Sequence, residues 1–309
     1  LSAYRFCRSD DVPLIVEAFH RCNVGPGRVP WRLTVDDMKR LSREINLWTS
    51  SCMVALAGSD PIGVLIAAKR EPTANLVLHV GVHPDHRRQG HARHMLTSLT
   101  QKMAILEPTR MFAEVPAEAI AARHFLSACG FAEEATLTDY VHDGKAPVSG
   151  PFLGLVGTVS AQEIIARAEF ADASEFNRCW QRTTRTIQNL RQQVLGAGIA
   201  TDRGFEAYLL YRSPVHADKP LPFMARVRDS ARNEDMPDRS TPCEILALGG
   251  QRPVPALLGP VLAFAAGKAE RPLYLPRVHR CEPLADHLDD YGFRAARETL
   301  RYACDAVLS

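Results

Sequence analysis

Leu76-Val77-Leu78-His79-Val80-Gly81-Val82-His83-Pro84-Asp85-His86-Arg87-Arg88-Gln89-Gly90-His91-Ala92 is the stretch that decides the fold, and it reads as a strand, a polar turn and the start of a helix. Leu76, Leu78, Val80 and Val82 alternate with Val77, His79, Gly81 and His83, so one face is apolar and the other mixed, as in a half-buried strand beside a cleft. Pro84 cannot donate to a ladder and ends the strand. From Ala92 onward, Met95, Leu96, Leu99, Met103 and Leu106 recur at helical spacing, which predicts a helix starting at or near Gly90. The first N–H groups of a helix have no intrahelical partner and lie at the positive end of its dipole. Gly90 lets a ligand approach the backbone, Ala92 keeps the next crowded position small, and Arg87 and Arg88 add positive charge. The spacing therefore predicts an anion site, most naturally for a pyrophosphate.

Val82-x-Pro84 followed by Arg87-x-x-Gly90-x-Ala92 resembles the acyl-CoA-binding motif of the GNAT superfamily of N-acetyltransferases: Arg or Gln, two residues, Gly, one residue, Gly or Ala. The resemblance implies acetyl-CoA as co-substrate, no metal, and cofactor-binding positions at Val80, Val82, Arg87, Arg88, Gln89, Gly90, His91 and Ala92. It also implies transfer of an acetyl group to a primary amine on a small molecule. A non-catalytic acyl-CoA-binding or regulatory protein on the same fold is the alternative. P-loop readings fail, since neither a Gly-Lys-Ser/Thr ending nor a Gly-x-Gly-x-x-Gly run is present.

With 309 residues and 46% hydrophobic content the chain can bury two cores, and a net charge of +2 with scattered Lys and Arg marks no nucleic-acid arm or membrane face. No apolar run reaches membrane-spanning length, and Leu1-Ser2-Ala3-Tyr4-Arg5 lacks a signal-peptide pattern. The eight cysteines lack paired spacing, which suits a reducing cytoplasm better than a disulfide framework or zinc site. His83, His86, His91 and His94 cluster without a Cys or carboxylate set and read as a solvated loop and helix face. The expected partner is a small-molecule amine acceptor, with no nucleic acid and no membrane, in a cytoplasmic monomer or homodimer.

The expected class is α/β (α+β): two GNAT-like lobes, 1–150 and 151–309, each a mixed, mostly antiparallel sheet flanked by helices. In the first, Tyr4 to Arg8 reads as a strand, Ser9-Asp10-Asp11 cap a helix carrying Val12, Ile15, Val16 and Phe19, and Thr34 caps a second helix. The intervening loop offers Asn23, Arg28 and Trp31 for acceptor recognition. Two strands flank Gly58-Ser59-Asp60-Pro61, and Arg110 to Val115 forms another after the central helix. Pro116 opens a helix as its first residue, Gly130 caps that helix, and Gly130-Phe131 adds a second point of resemblance.

Acetyl transfer to an amine needs a neutral nucleophile, a stabilised oxyanion and a protonated leaving thiolate. In GNAT enzymes the central strand splays from the next one, and the resemblance implies that the amide near Val82 meets the acetyl carbonyl. His79 and His83 on the mixed strand face, or Glu114 on the neighbouring strand, are the candidate bases. The family's Tyr and Asn positions before the Gly-Phe pair are Leu126 and Ala119 here, which cannot donate a proton. Tyr140, Cys129, Ser127 or His124 are the substitutes, or the thiolate leaves unassisted.

In the second half, Phe152 to Val159 reads as a strand, Ser160 or Ser174 caps a helix, Phe176 to Leu195 is a long polar helix, and Ala207 to Tyr211 and Phe223 to Val227 are strands. From Cys243 the order repeats: strand Glu244 to Leu248, helix Val254 to Ala266, strand Leu273 to Leu275, helix Pro283 to Tyr291. Gly292-Phe293 matches Gly130-Phe131 at an offset of 162 (292 − 130), with Leu288 matching Leu126 and Tyr302 matching Tyr140. Gly249-Gly250-Gln251-Arg252-Pro253 stands where the anion cradle would be, so this copy is expected to be degenerate and to bind acyl-CoA weakly or not at all.

Overall fold

The computed structural model describes residues 2–24, 33–70, 74–106, 110–143, 152–166, 178–212, 242–251, 254–269 and 271–306. The 150/151 boundary, Arg28, Trp31, Ser174 and the strand expected at 223–227 lie outside them. The chain forms two compact units. One comprises the described residues of Leu1–Ala135 and Leu300–Ser309, the other those of Thr136–Pro220 and Met224–Thr299.

The first unit runs β1 (Ser2–Phe6), α1 (Val12–Cys22), α2 (Val35–Glu44), β2 (Met53–Ala57), β3 (Asp60–Arg70), β4 (Ala74–Val82), α3 (His91–Leu106), β5 (Arg110–Pro116) and α4 (Ile120–Ala128). Its sheet order is β1-β2-β3-β4-β5, followed by the end of the chain's last strand. β1 to β4 pair antiparallel and β4 with β5 parallel. α2 starts at a capping box: the Asp37 N–H donates to Thr34 Oγ1 at 3.1 Å and the Thr34 N–H to Asp37 Oδ2 at 3.0 Å. Of the helical stripe read from the sequence, Met95, Leu96, Leu99 and Met103 are fully buried in a core with Met53, Leu65, Val77, Met111 and Ala113, whereas Leu106, at the end of α3, is exposed. Pro116 closes β5 and does not open the next helix; the Ala119 N–H bonds back to its carbonyl in a turn, and α4 begins at Ile120.

The second unit contains β6 (Ala132–His142) from Thr136 onward, β7 (Gly157–Thr158), α5 (Ala161–Ala166), α6 (Thr184–Leu190), β8 (Leu195–Thr201), β9 (Gly204–Arg212), β10 (Cys243–Gly249), α7 (Pro255–Ala269), β11 (Leu273–His279) and β12 (Arg294–Asp305) to Thr299. Strands run β6-β11-β10-β9-β8-β7, with β10 and β11 parallel. Each unit is thus a mixed, mostly antiparallel sheet flanked by helices, and the element order of the first recurs in the second. Three expectations are corrected. Phe152 to Val159 yields a 3-10 turn at Leu153–Leu155 and the two-residue strand β7. The described part of Phe176 to Leu195 is a 3-10 turn at Trp180–Arg182 and a seven-residue helix. Pro283 to Tyr291 makes two 3-10 turns, where Asp286, Asp289 and Asp290 would crowd like charges onto one helical face.

β6 and β12, the repeat equivalents that follow the two Gly-Phe pairs, each begin in one unit and end in the other. The first unit therefore takes its final strand segment, Leu300 onward, from the end of the chain, and Leu300, Tyr302 and Ala306 are buried in its core.

Candidate active site

β4 and β5 pair only from Ala74↔Arg110 to Val77↔Ala113, although β4 continues to Val82 and β5 to Pro116. The break coincides with a bulge: β3 residues Ile66 and Ala67 face His79 and Val77, leaving Leu78 as the extra residue. The bulge also resets the alternation. Val77 joins Val80 and Val82 on the face that packs against α3, so the uninterrupted period of two expected through Leu76 and Leu78 does not hold. Beyond the bulge, the His83 N–H donates to the Ile62 carbonyl at 2.9 Å. Strand alternation then directs the main-chain groups of His79 and Gly81 to β3, and the N–H groups of Val80 and Val82 to the edge that β5 has left.

The turn after β4 is shaped by its own side chains. His83 accepts the Asp85 N–H, the Gln89 amide donates to the Asp85 carbonyl at 3.2 Å, and the Arg87 guanidinium donates to the carbonyls of Val82 (3.1 Å) and Val24 (3.3 Å). Arg88 and Gly90 both have positive φ, +63° and +87°. The Arg87 N–H bonds to the Pro84 carbonyl, but among the described residues no group accepts the N–H of Arg88, Gln89, Gly90, His91, Ala92 or Arg93. Arg87 to Gly90 are exposed, and nothing lies within 4 Å of where a Cβ on Gly90 would stand. A run of open N–H groups before a 16-residue helix can receive an anion.

His79 lies on the opposite sheet face to α3, its ring 4.9 Å from that of Phe19 on α1. Gly81 is required beside it, since a Cβ there would come within 2.8 Å of His79 Nε2 and 3.1 Å of Cys22 Cβ. His83 caps the 84–86 turn and sits 3.7 Å from Asp85. Glu114, one residue past the last β4–β5 pair, is committed to a buried ion pair: Arg301 reaches its Oε1 at 3.1 and 3.3 Å, and the guanidinium lies 5.7 Å from the Phe112 ring. Tyr140 belongs to the core of the second unit, where burial, then Asp289 and Asp286, raise its pKa. Its repeat equivalent Tyr302 is the tyrosine in the first unit, with its hydroxyl donating to Glu133 (3.1 Å) and accepting from Arg123 (3.4 Å). Sequence reading missed Arg301 and Tyr302 as residues of the first unit; the 162-residue offset was the signal that pointed to Tyr302. Leu126 is buried in the core and Ala119 precedes α4. Among the described residues, no group of three or more His, Cys, Asp or Glu is arranged to hold a metal ion.

The second unit repeats the split. β10 and β11 pair only at Cys243↔Leu273 and Glu244↔Tyr274, and a bulge at Leu246 accompanies the break. Buried Arg182 donates to the Pro276 carbonyl and to Glu282, and the Cys179 thiol meets the same carbonyl, so Cys179–Arg182 docks on β11 just beyond its separation from β10. The turn after β10 is tied down: the Gln251 N–H bonds to the Phe205 carbonyl at 2.9 Å, and a Cβ on Gly250 would strike the Glu206 carbonyl.

Residues 16–131 match the family model described as the acetyltransferase (GNAT) family. Comparison with curated proteins gives no significant match. Among solved structures, a GCN5-related N-acetyltransferase from Sphaerobacter thermophilus is similar with a TM-score of 0.63 at 13% identity, covering 100% of this chain and 96% of its own. A tandem GNAT protein from the clavulanic acid biosynthesis pathway gives a TM-score of 0.61 at 12% identity, with 100% of both chains covered. An acetyltransferase described as putative, from Pyrococcus horikoshii, gives 0.58 at 14% identity, covering 98% of this chain and 89% of its own. At these identities the likeness speaks for the fold, and the family model speaks for the segment that carries the open turn. Over residues 16–131 the chain is thus similar to the acetyltransferase (GNAT) family, and over its whole length it shares the fold of these solved structures.

Proposed function

We propose that the chain is an acyl-CoA-dependent N-acetyltransferase that moves an acetyl group from acetyl-CoA to a primary amine on a small molecule, with its reaction centre in the first unit and the second unit a degenerate copy. The observation that carries this reading is the run of N–H groups from Arg88 to Arg93 without an acceptor among the described residues, at the end of the strand that parts from β5. Those groups bind the diphosphate of acetyl-CoA, which supplies an activated thioester, and Arg88 adds mobile charge. The Val80 and Val82 N–H groups line the gap between the strands and stabilise the negative charge that develops on the acetyl oxygen. His79 takes the amine proton, because Glu114 is already held by Arg301 and His83 caps a turn. With leucine at position 126, the thiolate leaves without a tyrosine donor, as its ordinary pKa of about 8.5 permits. Eight free cysteines support a reducing, cytoplasmic setting.

Leu126 and Ala119 favour a second reading, an acyl-CoA-binding protein that does not turn over. Release of free CoA thiol during incubation with acetyl-CoA and a panel of polyamines, amino-sugars and amino acids separates the two. Steady release with one acceptor supports the enzyme, with a His79→Gln variant at least tenfold slower, a general-base contribution of about 10²–10⁴ being typical. Tight acetyl-CoA binding with no release above the hydrolytic background supports the binding protein.

A further inference from the structure

Arg87 belongs to the turn that the proposed reaction gives to the diphosphate, yet its guanidinium is directed at main-chain carbonyls. Nε donates to the Val82 carbonyl at 3.1 Å and Nη2 to the Val24 carbonyl at 3.3 Å. Val82 is the last residue of β4, and Val24 lies two residues past the end of α1. A planar guanidinium presents donors in several fixed directions and can hold both acceptors at once. At β4 it completes a peptide unit bonded at both ends: Arg87 takes the Val82 carbonyl, and the His83 N–H of the same unit donates to the Ile62 carbonyl at 2.9 Å. At α1 the Asn23 N–H closes the helix onto the Phe19 carbonyl at 3.0 Å, so Val24 continues from the last turn. That turn packs on β4. The buried Phe19 ring lies 4.9 Å from the His79 ring, and a Cβ on Gly81 would come within 3.1 Å of the buried Cys22.

We propose that Arg87 is a positioning residue and not a phosphate ligand: its guanidinium clamps the end of α1 to the end of β4, and the clamped helix holds the His79 ring in place through Phe19. The inference rests on the reading of His79 as the base that takes the amine proton. The resemblance implied Arg87 at the cofactor, but carrying its guanidinium to a phosphate would break both carbonyl bonds and release the two elements that flank His79. Arg88, exposed in the same turn, supplies charge to the diphosphate without that cost. A general base acts only within hydrogen-bond reach of the proton it removes, so a small shift of α1 against β4 slows the reaction while leaving the main-chain N–H groups of the cradle where they are. Arg87 thereby joins the acyl-CoA side of the first unit to the side on which His79 and α1 lie.

The test pairs calorimetric titration of acetyl-CoA with release of CoA thiol in the presence of the acceptor panel, on the full chain as wild type, Arg87→Met, Arg87→Lys, His79→Gln and Arg87→Met/His79→Gln. Lysine keeps the charge, and with it most of a phosphate contact, but cannot reproduce two directed carbonyl bonds. The expected result is that both Arg87 variants bind acetyl-CoA within about threefold of wild type and turn over about tenfold more slowly or worse, a misplacement of about 1 Å being able to cost about 10²-fold. In the His79→Gln background Arg87→Met should cost less than about threefold, because a residue that acts through His79 has nothing further to remove. An affinity loss of about tenfold or more in Arg87→Met that Arg87→Lys restores would make Arg87 a phosphate ligand and overturn the inference. Unchanged turnover in Arg87→Met, or the same loss with and without His79, overturns it too and leaves His79 as the base. No slowing by His79→Gln, or no release by wild type with any acceptor, overturns both. Arg87 is exposed, so its substitutions spare the core, and an unchanged unfolding transition verifies it.

Discussion

Glu114 and Arg301 show how a single pair joins distant parts of the sequence: their side chains are 3% and 5% exposed and their positions are 187 residues apart. Breaking a buried pair from one side leaves a desolvated charge, so Arg301→Ala should destabilise the protein by about 3–5 kcal/mol in denaturant unfolding. The double variant Glu114→Gln/Arg301→Met should recover more than half of that loss; a loss below about 1 kcal/mol in the single variant contradicts the assignment. At this scale the cradle was legible because Arg87, Gly90 and Ala92 act locally, through the backbone they sit on. The commitment of Glu114 was not, because its partner lies on the last strand and no local pattern announces it. The bulge at Leu78 was hidden for another reason: Leu76, Val77 and Leu78 are all apolar, so a one-residue slip leaves the pattern readable either way.

At the level of elements, the two Gly-Phe pairs build the same device. At the end of α4 the Phe131 N–H bonds to the Leu126 carbonyl and the Gly130 N–H to the Ser127 carbonyl, with Gly130 at φ +85°. Before β12 the Phe293 N–H bonds to the Leu288 carbonyl and the Gly292 N–H to the Asp289 carbonyl, with Gly292 at φ +83°. Both are Schellman closures that need a residue tolerant of left-handed geometry. Nothing lies within 4 Å of a Cβ on Gly130, so Gly130→Ala tests backbone conformation alone and should cost about 1–2 kcal/mol of stability by thermal or denaturant unfolding. No measurable cost would mean that the cap is not held in that conformation. The repeat was therefore legible through its caps even where a helix gave way to 3-10 turns. β8 escaped the sequence reading because Gly196 and Gly198 erase its alternation, which the sheet restores through neighbours on both sides.

Taken as a whole molecule, the chain divides into two compact units of similar element order, and the first includes the end of the chain. Leu300 and Tyr302 fill its core, and each buried side chain of this kind contributes about 1.5–3 kcal/mol. Removing residues 300–309 should abolish the cooperative unfolding of the first unit and the acetyl-CoA affinity assigned to it; a truncated chain that keeps both would show that this strand is dispensable. Everything functional rests on open main-chain N–H groups between residues 88 and 93 receiving a diphosphate. The direct measurement is calorimetric titration of acetyl-CoA into wild type and Gly90→Glu, a substitution that puts a carboxylate and a side chain with strained φ into the cradle. The account predicts one binding event per chain in wild type and at least a tenfold loss in the variant, whereas equal binding by both proteins would contradict it.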